Sequence, residues 1–419
     1  MYINTQIYAE SAPMIFAHKI ALDLTADQER YCRQAAGTAR LTYNWGLAEW
    51  GRQYRSGEKP NAVALKKQWN SIKYARYPWL KGIHRDAHAQ PFANLQKAFS
   101  AFFQNMKDRK AGKTRRRVGY PTFKKKGKHD SFYIANDKLQ IQDKHLRIPQ
   151  LGWVRMRESL RLTGRIMAAV VSRTADRWYA SISVQVERPS RPCENQAGSC
   201  GVDLGVTHLA TLSATREHID GPKPLKGALV KLQRLGRELA RRVKFSANWH
   251  KTKRKLGRLH ARIANMRADA LHKLTTRLAE SYREIVIEDL HVAGMVQNRK
   301  LARAISDMGL GMFRQQLTYK TAQAGATVIV ADRWFPSTKL CRCGIVNETL
   351  TLADRVFTCA ACGYTEDRDI HATLNLEAYP RLVGNDNACG QPSAGFPDGE
   401  SETGLVEAGT TESAQKCTF

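Results

Sequence analysis

The period of apolar and polar positions changes several times along the chain. Ile15 to Leu24 ("IFAHKIALDL") roughly alternates, as a half-buried strand does. "TADQ", Thr25 to Gln28, then offers a helix start, with Thr25 as the cap and Gln28 completing a capping box. From there to about Met106 the pattern is helical and aromatic ("LTYNWGLAEW", "LKKQWNSIK", "NLQKAFSAFFQNM"), and most of those rings are expected in a core. Between Ser131 and Glu187 the period shifts towards two. Short antiparallel strands of a small barrel or sandwich are expected, with turns at Asn136-Asp137, Gln142-Asp143 and Thr174 to Asp176. "RPSRPCENQAG" (Arg188 to Gly198) reads as a linker and a domain boundary. Beyond it, "SCGVDLGV", "EIVIEDL" and "ATVIVADRWFP" read as buried strands. Leucines at helical spacing over Leu225–Val243 and Leu256–Leu278 predict two long amphipathic helices joined by "KFSANWHKTKRK". "DRDIHATLNL" reads as a helix start, and the stretch from Gly384 to Phe419 lacks the apolar content to fold.

Composition narrows the class. The 419 residues carry a formal charge of +29 with an ordinary 42% hydrophobic content. Self-repulsion on that scale calls for a polyanion, and nucleic acid is the leading partner. No apolar run is long enough to cross a membrane, and the first residues lack the basic and apolar regions of a secretory signal. A cytoplasmic protein is therefore expected, in which nine cysteines serve as thiols or metal ligands before disulfides.

The charge is not evenly spread. "KDRKAGKTRRRVGYPTFKKKGK" (Lys107 to Lys128) has no apolar periodicity, and Tyr120 and Phe123 interleave with its cations. Arg115, Arg116, Arg117, Lys124, Lys125 and Lys126 are expected to meet phosphates there. Arg241 and Arg242 on the first of the two long helices, and Lys251, Lys253 and Arg254 in the segment that joins them, carry the same expectation.

Three acids interrupt or border apolar elements: Asp203 in the first strand after the linker, Glu288 at the end of the second, and Asp369 at the last helix start. A buried, unpaired carboxylate costs several kcal/mol or protonates, so each needs a counter-charge or donors. Singly, each also reads as a turn or capping residue. Together, on so basic a chain, they suit a divalent ion with oxygen ligands, Mg²⁺ or Mn²⁺. The cysteines offer a second metal site. Cys359-Ala-Ala-Cys362-Gly is half of a zinc knuckle, and the other half would be Cys341 and Cys343, a C-x-C pair one residue shorter than usual.

"GVDLGV", "IVIEDLHVAGM", "NRKLARAISDMGLGMFRQQLTYKTAQAG", "DRWFPSTKLC" and "DRDIHATLNL" closely resemble the split RuvC nuclease of TnpB proteins, which are encoded by IS200/IS605-type transposons. The resemblance covers nearly the whole chain. It implies a multidomain α/β protein: an RNase H-like (RuvC) nuclease domain over 199–340 and 366–383, interrupted by a zinc-ribbon-like insertion over 341–365. Upstream it implies a β-barrel wedge domain (1–24 and 119–190) with an inserted helical recognition domain (25–118). A linker over 191–198 and a disordered tail over 384–419 complete the division. A monomer bound to a guide RNA from the transposon's right end would cut double-stranded target DNA beside a short adjacent motif. Tyr43, Asn44 and Gln90 are candidate readers of that motif. The catalytic acids fall on Asp203, Glu288 and Asp369, with Asp367 the competitor for the third. The alternatives are an RNA-guided repressor without cleavage or a small Cas12-type effector; a tyrosine transposase would want a His-x-His pair, and the sequence has none. One departure stands out. His371 occupies the slot where the family pattern has Asn, and is expected either to donate to a metal-bound carboxylate, weakening cleavage below about pH 6.5, or to face solvent.

Overall fold

The computed structural model describes residues 14–114, 117–186, 197–351 and 353–385. Strand β1 (Met14–Asp23) leads into α1 (Ala26–Arg55), α2 (Ala62–Arg76) and α3 (Arg85–Lys110). The expected capping box is formed: Thr25 Oγ1 accepts from Gln28 N at 3.3 Å, and Gln28 Oε1 accepts from Thr25 N at 3.1 Å. The three helices bury their own aromatic core, where Trp50 stacks on Phe99 with ring centroids 4.0 Å apart.

Six more strands follow: β2 (Ser131–Ala135), β3 (Gln140–Gln142), β4 (His145–Ile148), β5 (Gly152–Met156), β6 (Arg165–Thr174) and β7 (Arg177–Val186). With β1 they form an antiparallel sheet in the order β2-β6-β7-β1-β5-β4-β3. β1 is its hinge: Met14 to Ala21 pair with β7, and Leu22 and Asp23 pair with β5. The sheet's two ends, β2 and β3, are joined by a single 3-10 turn, so it curls around one core. Asp143 and Ala175 sit in hairpin turns with positive φ, where the sequence turn signals fell. The helices dock on this sheet. Asp86 accepts from Ala135 N at 2.9 Å, and the Tyr31 hydroxyl donates to Pro149 O at 3.0 Å.

The second sheet is mixed. It contains β8 (Ala197–Asp203), β9 (Ala210–Leu212), β10 (His218–Ile219), β11 (Tyr282–Glu288) and β12 (Thr327–Ala331), in the order β10-β9-β8-β11-β12. β9 and β10 run antiparallel, while β8, β11 and β12 run parallel, so their carboxyl ends share one edge. β8 already begins at Ala197, two residues inside the segment read as linker. Between β10 and β11 lie α4 (Pro224–Arg241) and α5 (Ala247–Ser281). Ser246 caps α5, so most of the expected joining segment is in fact helix. The short helix α6 (Val292–Met295), then α7 (Ala302–Met308) and α8 (Leu310–Ala324), cover the approach to β12. α5 also reaches the first sheet, where Arg258 Nε donates to Asp176 at 2.6 Å in the β6–β7 turn. Last come the hairpin β13 (Val356–Thr358) and β14 (Thr365–Asp367) and the helix α9 (Arg368–Asn385). No helix among the described residues is long and apolar enough to cross a membrane.

Candidate active site

Asp203 ends β8 and Glu288 ends β11. The strands pair in parallel, with Ile287 beside Val202, so the two acids leave one sheet edge side by side. The third comes from α9, which crosses β8 at Gly201. A Cβ at Gly201 would lie 2.0 Å from the Thr373 carbonyl oxygen and 2.7 Å from Glu377 N. Only glycine permits this approach, which brings the first turn of α9, and Asp369, to Asp203. A glycine inside an apolar strand signals such an approach in the sequence itself.

The electrostatics record the convergence. Burial first, then the charges of Glu288 and Asp369, push the Asp203 carboxyl up to about 7, against the opposing pull of Arg368. Three carboxylates sharing one sheet edge and repelling one another favour a divalent cation, and the all-oxygen donor set suits Mg²⁺ or Mn²⁺. The third acid has a neighbour with a different task. Asp367 Oδ1 accepts from Asp369 N and Ile370 N, each at 3.0 Å, and so caps α9. Asp289, next to Glu288, is likewise diverted: Arg314 and Arg333 hold it at 2.6 and 2.5 Å and keep its carboxyl below the usual range.

Two residues missed in the sequence brace Glu288. The Ser337 hydroxyl donates to Glu288 Oε1 at 2.5 Å. Buried Asn375 on α9 donates to the carbonyls of Ser337 (2.7 Å) and Leu340 (2.6 Å). One helix thus presents Asp369 and fixes the loop that orients Glu288.

The four cysteines converge in space. The sulfurs of Cys341, Cys343, Cys359 and Cys362 all lie within 4.8 Å of one another, with 3.5 Å between Cys341 and Cys362 and 3.7 Å between Cys343 and Cys359. A tetrahedral zinc with bonds of about 2.3 Å needs sulfurs about 3.8 Å apart, so the set fits zinc. The shortened half closes on a tighter turn. Gly344 N donates to Cys341 O three residues back, whereas Gly363 N donates to Cys359 O four residues back. Both glycines have positive φ. Backbone donors from Cys362 and Ala361 lower the Cys359 thiol to about 6, ready to ligate as thiolate.

His371 corrects its expectation. It neither faces solvent nor meets the carboxylates. It is 2% exposed, stacks on Phe357 of the thiol segment with centroids 3.8 Å apart, and places Nε2 2.8 Å from Leu340 O. It ties α9 to the cysteine segment, and burial lowers its pKa. The expected loss of cleavage below pH 6.5 therefore has no source in this ring.

A family profile described as probable transposase matches residues 181–299, one described as Cas12f1-like TNB domain matches 311–376, and one described as a helix-turn-helix domain matches 14–59. The last segment folds here as a strand and one long helix. The chain is 32% identical to "Putative RNA-guided DNA endonuclease InsQ" of Escherichia coli, over 94% of this chain and 98% of that protein. The chain belongs to the TnpB family. It is also 35% identical to a "Putative RNA-guided DNA endonuclease" of Streptomyces pristinaespiralis, over 87% of this chain and 89% of that one. A "TnpB-like protein L79" of Acanthamoeba polyphaga mimivirus shares 23% identity over 45% of this chain and 38% of its own length.

The basic candidates separate once placed. Arg117, Lys125, Lys126, Arg241, Lys251 and Arg254 are exposed, as phosphate contacts must be, while Arg115 and Arg116 lie outside the described residues. Arg242 is exposed but pairs with Glu238 at 3.2 Å, and Lys253 lies over the Trp249 ring at 4.6 Å. Tyr43 and Asn44 both meet Lys124. Tyr43 is buried under the Lys124 ammonium, 4.3 Å from its ring centroid. Asn44 clamps the Lys124 backbone, accepting from its N at 2.8 Å and donating to its O at 3.0 Å. Both anchor the basic segment on α1, and half-buried Asn44 also lines a cavity with Arg40, Leu41 and Trp79. Gln90 is half-buried on α3. Tyr120 packs edge-on against Phe99 and Phe102, whereas Phe123 is exposed. The tail from residue 386 on, and the linker up to residue 196, lie outside the described residues.

Proposed function

We propose that the chain is an RNA-guided DNA endonuclease that hydrolyses phosphodiester bonds at Asp203, Glu288 and Asp369. The placing of three carboxylates at one sheet edge, where burial first and then the charges of Glu288 and Asp369 raise Asp203 to about 7, carries this reading. It is supported by the strand order β10-β9-β8-β11-β12, with β8, β11 and β12 parallel, which is the arrangement of an RNase H-like (RuvC) domain. The names of the relatives at 32% and 35% identity point the same way. The curled sheet then corresponds to the wedge domain, the three helices to the recognition domain, and the cysteine segment to the zinc-ribbon-like insertion.

Asp203, Glu288 and Asp369 would hold Mg²⁺ or Mn²⁺, which when bound supplies Lewis acidity and an activated water for phosphodiester hydrolysis. Cys341, Cys343, Cys359 and Cys362 would hold a structural Zn²⁺. The chain's own residues orient these ligands. Ser337 fixes the Glu288 carboxylate, Arg368 donates to Asp369 Oδ1 at 3.0 Å, and Asp367 caps the helix that carries both. The exposed cations neutralise phosphates without reading sequence, which base pairing with the guide would do.

The test is purification of the chain from cells that carry its gene and flanking DNA. A discrete co-purifying RNA is expected, and the complex should cut a matching duplex with Mg²⁺. A chain without RNA that cuts nothing overturns the reading. Binding of the matched duplex without cutting would favour the repressor.

A further inference from the structure

Two neighbouring aromatics in the loop after β12 behave oppositely. Phe335 packs edge-on against Tyr379, with centroids 4.9 Å apart, in the cluster of Val286, Ala331 and Leu376. Trp334 is 85% exposed, the most exposed large apolar side chain among the described residues. An indole offers roughly 150–250 Å² of surface for burial, so leaving it in water forgoes a large stabilisation.

The loop holding it is not slack. Asp332 N donates to the Tyr379 hydroxyl at 3.1 Å, Trp334 N to Asp332 Oδ1 at 2.8 Å, and Phe335 N to Asp332 O at 3.1 Å. Both ends of the loop also meet the same acid. Ala331 is the register partner of Glu288, and Ser337 donates to its carboxylate. Three residues from either end, the Trp334 backbone lies within roughly 10 Å of Ala331 by the reach of an extended chain, and with a strand spacing of about 5 Å between Ala331 and Glu288 it lies within roughly 15 Å of that acid. A held loop, both of whose ends meet Glu288, therefore presents an indole to solvent. Arg333, its neighbour, is occupied by Asp289, which neutralises the one other carboxylate at this end of β11.

We propose that Trp334 is a stacking platform for an unpaired base of the DNA strand entering the carboxylate site, and so a positioning residue for the scissile phosphate. The inference rests on the nuclease reading above. The occupant is a single strand because a duplex hides its base faces in its own stack. Stacking on the flat face of an indole is tolerant of base identity, so it fixes position and not sequence.

The full chain with its RNA is tested as wild type, Trp334→Ala and Trp334→Phe. Single-strand substrates carry one abasic site, walked across the cut position. Wild type should show one position near the cut where the abasic site raises KM about tenfold, the usual order for losing one stacked base. In Trp334→Ala the KM should be raised by the same factor on every substrate, with that position no longer distinct and kcat changed little. Trp334→Phe should restore most of the effect. Equal abasic sensitivity in wild type and Trp334→Ala, or an unchanged KM, overturns the proposal. A second arm needs no cleavage: 2-aminopurine at the identified position, or walked across the strand if wild type cuts nothing, should be quenched on binding to wild type but not to Trp334→Ala. Quenching without cleavage sinks the nuclease reading and leaves the platform standing; equal fluorescence with both proteins sinks the platform alone.

Discussion

The carboxylate site and the thiol site sit at opposite ends of one short path yet are built in opposite ways. Asp203, Glu288 and Asp369 come from two strands and a helix spread over most of the second half of the chain. Cys341, Cys343, Cys359 and Cys362 come from two turns of a single short segment. The carboxylates exist as a cluster only because the sheet and α9 hold them against mutual repulsion, whereas the thiols are gathered by two local turns. One site is a product of the fold, and the other helps to make a piece of it. α9 joins them: its first turn carries Asp369, and His371 and Asn375 grip the cysteine segment and the Ser337 loop.

Removing a ligand from each site should break the comparison open. Asp203→Ala should lower cleavage by at least about 10³-fold, the order seen when a group of the reacting centre is lost. Zinc content and RNA retention should not change. Cys359→Ser should do the reverse in kind: zinc falls below one equivalent, and the segment becomes protease-sensitive. Cleavage should drop only by about 10–100-fold, because the acids lose an outer support and not a ligand. Zinc measured by elemental analysis alongside cleavage rates checks both. Full activity in zinc-free Cys359→Ser would mean that α9 does not couple the two sites, and zinc loss in Asp203→Ala would mean that the thiols are not gathered by their own turns alone.

Gly201→Ala sharpens the role of α9. The added methyl would have to displace the Thr373 carbonyl, and with it the first turn of the helix. A misplacement of about 1 Å at a reacting centre costs on the order of 10²-fold. Cleavage should fall by that order while DNA binding persists. An unchanged rate would show that α9 is not what positions Asp369.

The sequence was most legible where signals are local. The Thr25–Gln28 capping box, the alternation of the first sheet, and the Cys359–Cys362 knuckle with its glycine each lie within a few residues. The parallel strands were visible as apolar runs, but their order was not, because the pairing of Ile287 with Val202 joins residues far apart in sequence. Local chemistry also could not rank adjacent acids. Asp367 and Asp369 differ by one task, helix capping, which depends on where α9 begins. Glu288 and Asp289 differ because Arg314 and Arg333 arrive from elsewhere to claim the second. His371 was misread for the same reason, since its partner Phe357 lies on another element, and the contact of Asn44 with distant Lys124 was equally hidden. Gly201 carried a signal that could have been used; Ser337 and Asn375 carried none.

The smallest effect tests the electrostatics of the carboxylate site directly. Burial and the charges of Glu288 and Asp369 raise the Asp203 carboxyl from its ordinary 3.8 to about 7. A group whose folded-state pKa lies above its unfolded value stabilises the fold below the unfolded value and loses that contribution as pH rises through the folded one. Without divalent ions, stability should therefore decline from about pH 4 to pH 7, once the other titrations common to both proteins are subtracted. Asp203→Asn removes the charge with little change of shape. At pH 8 in a chelator it should melt a few degrees higher than wild type, by about 1–4 °C, and the gap should close towards pH 4, where Asp203 is protonated in the folded and largely in the unfolded chain. Added Mg²⁺ should stabilise wild type and not Asp203→Asn, with a midpoint that moves to higher Mg²⁺ as pH falls through about 7, because the proton competes for the same oxygens. The thiol site provides the control: its cysteines are identical in both proteins, so zinc content should not follow these changes. Superimposable melting curves at pH 8 would mean that neither burial nor the other two acids raise the Asp203 carboxyl.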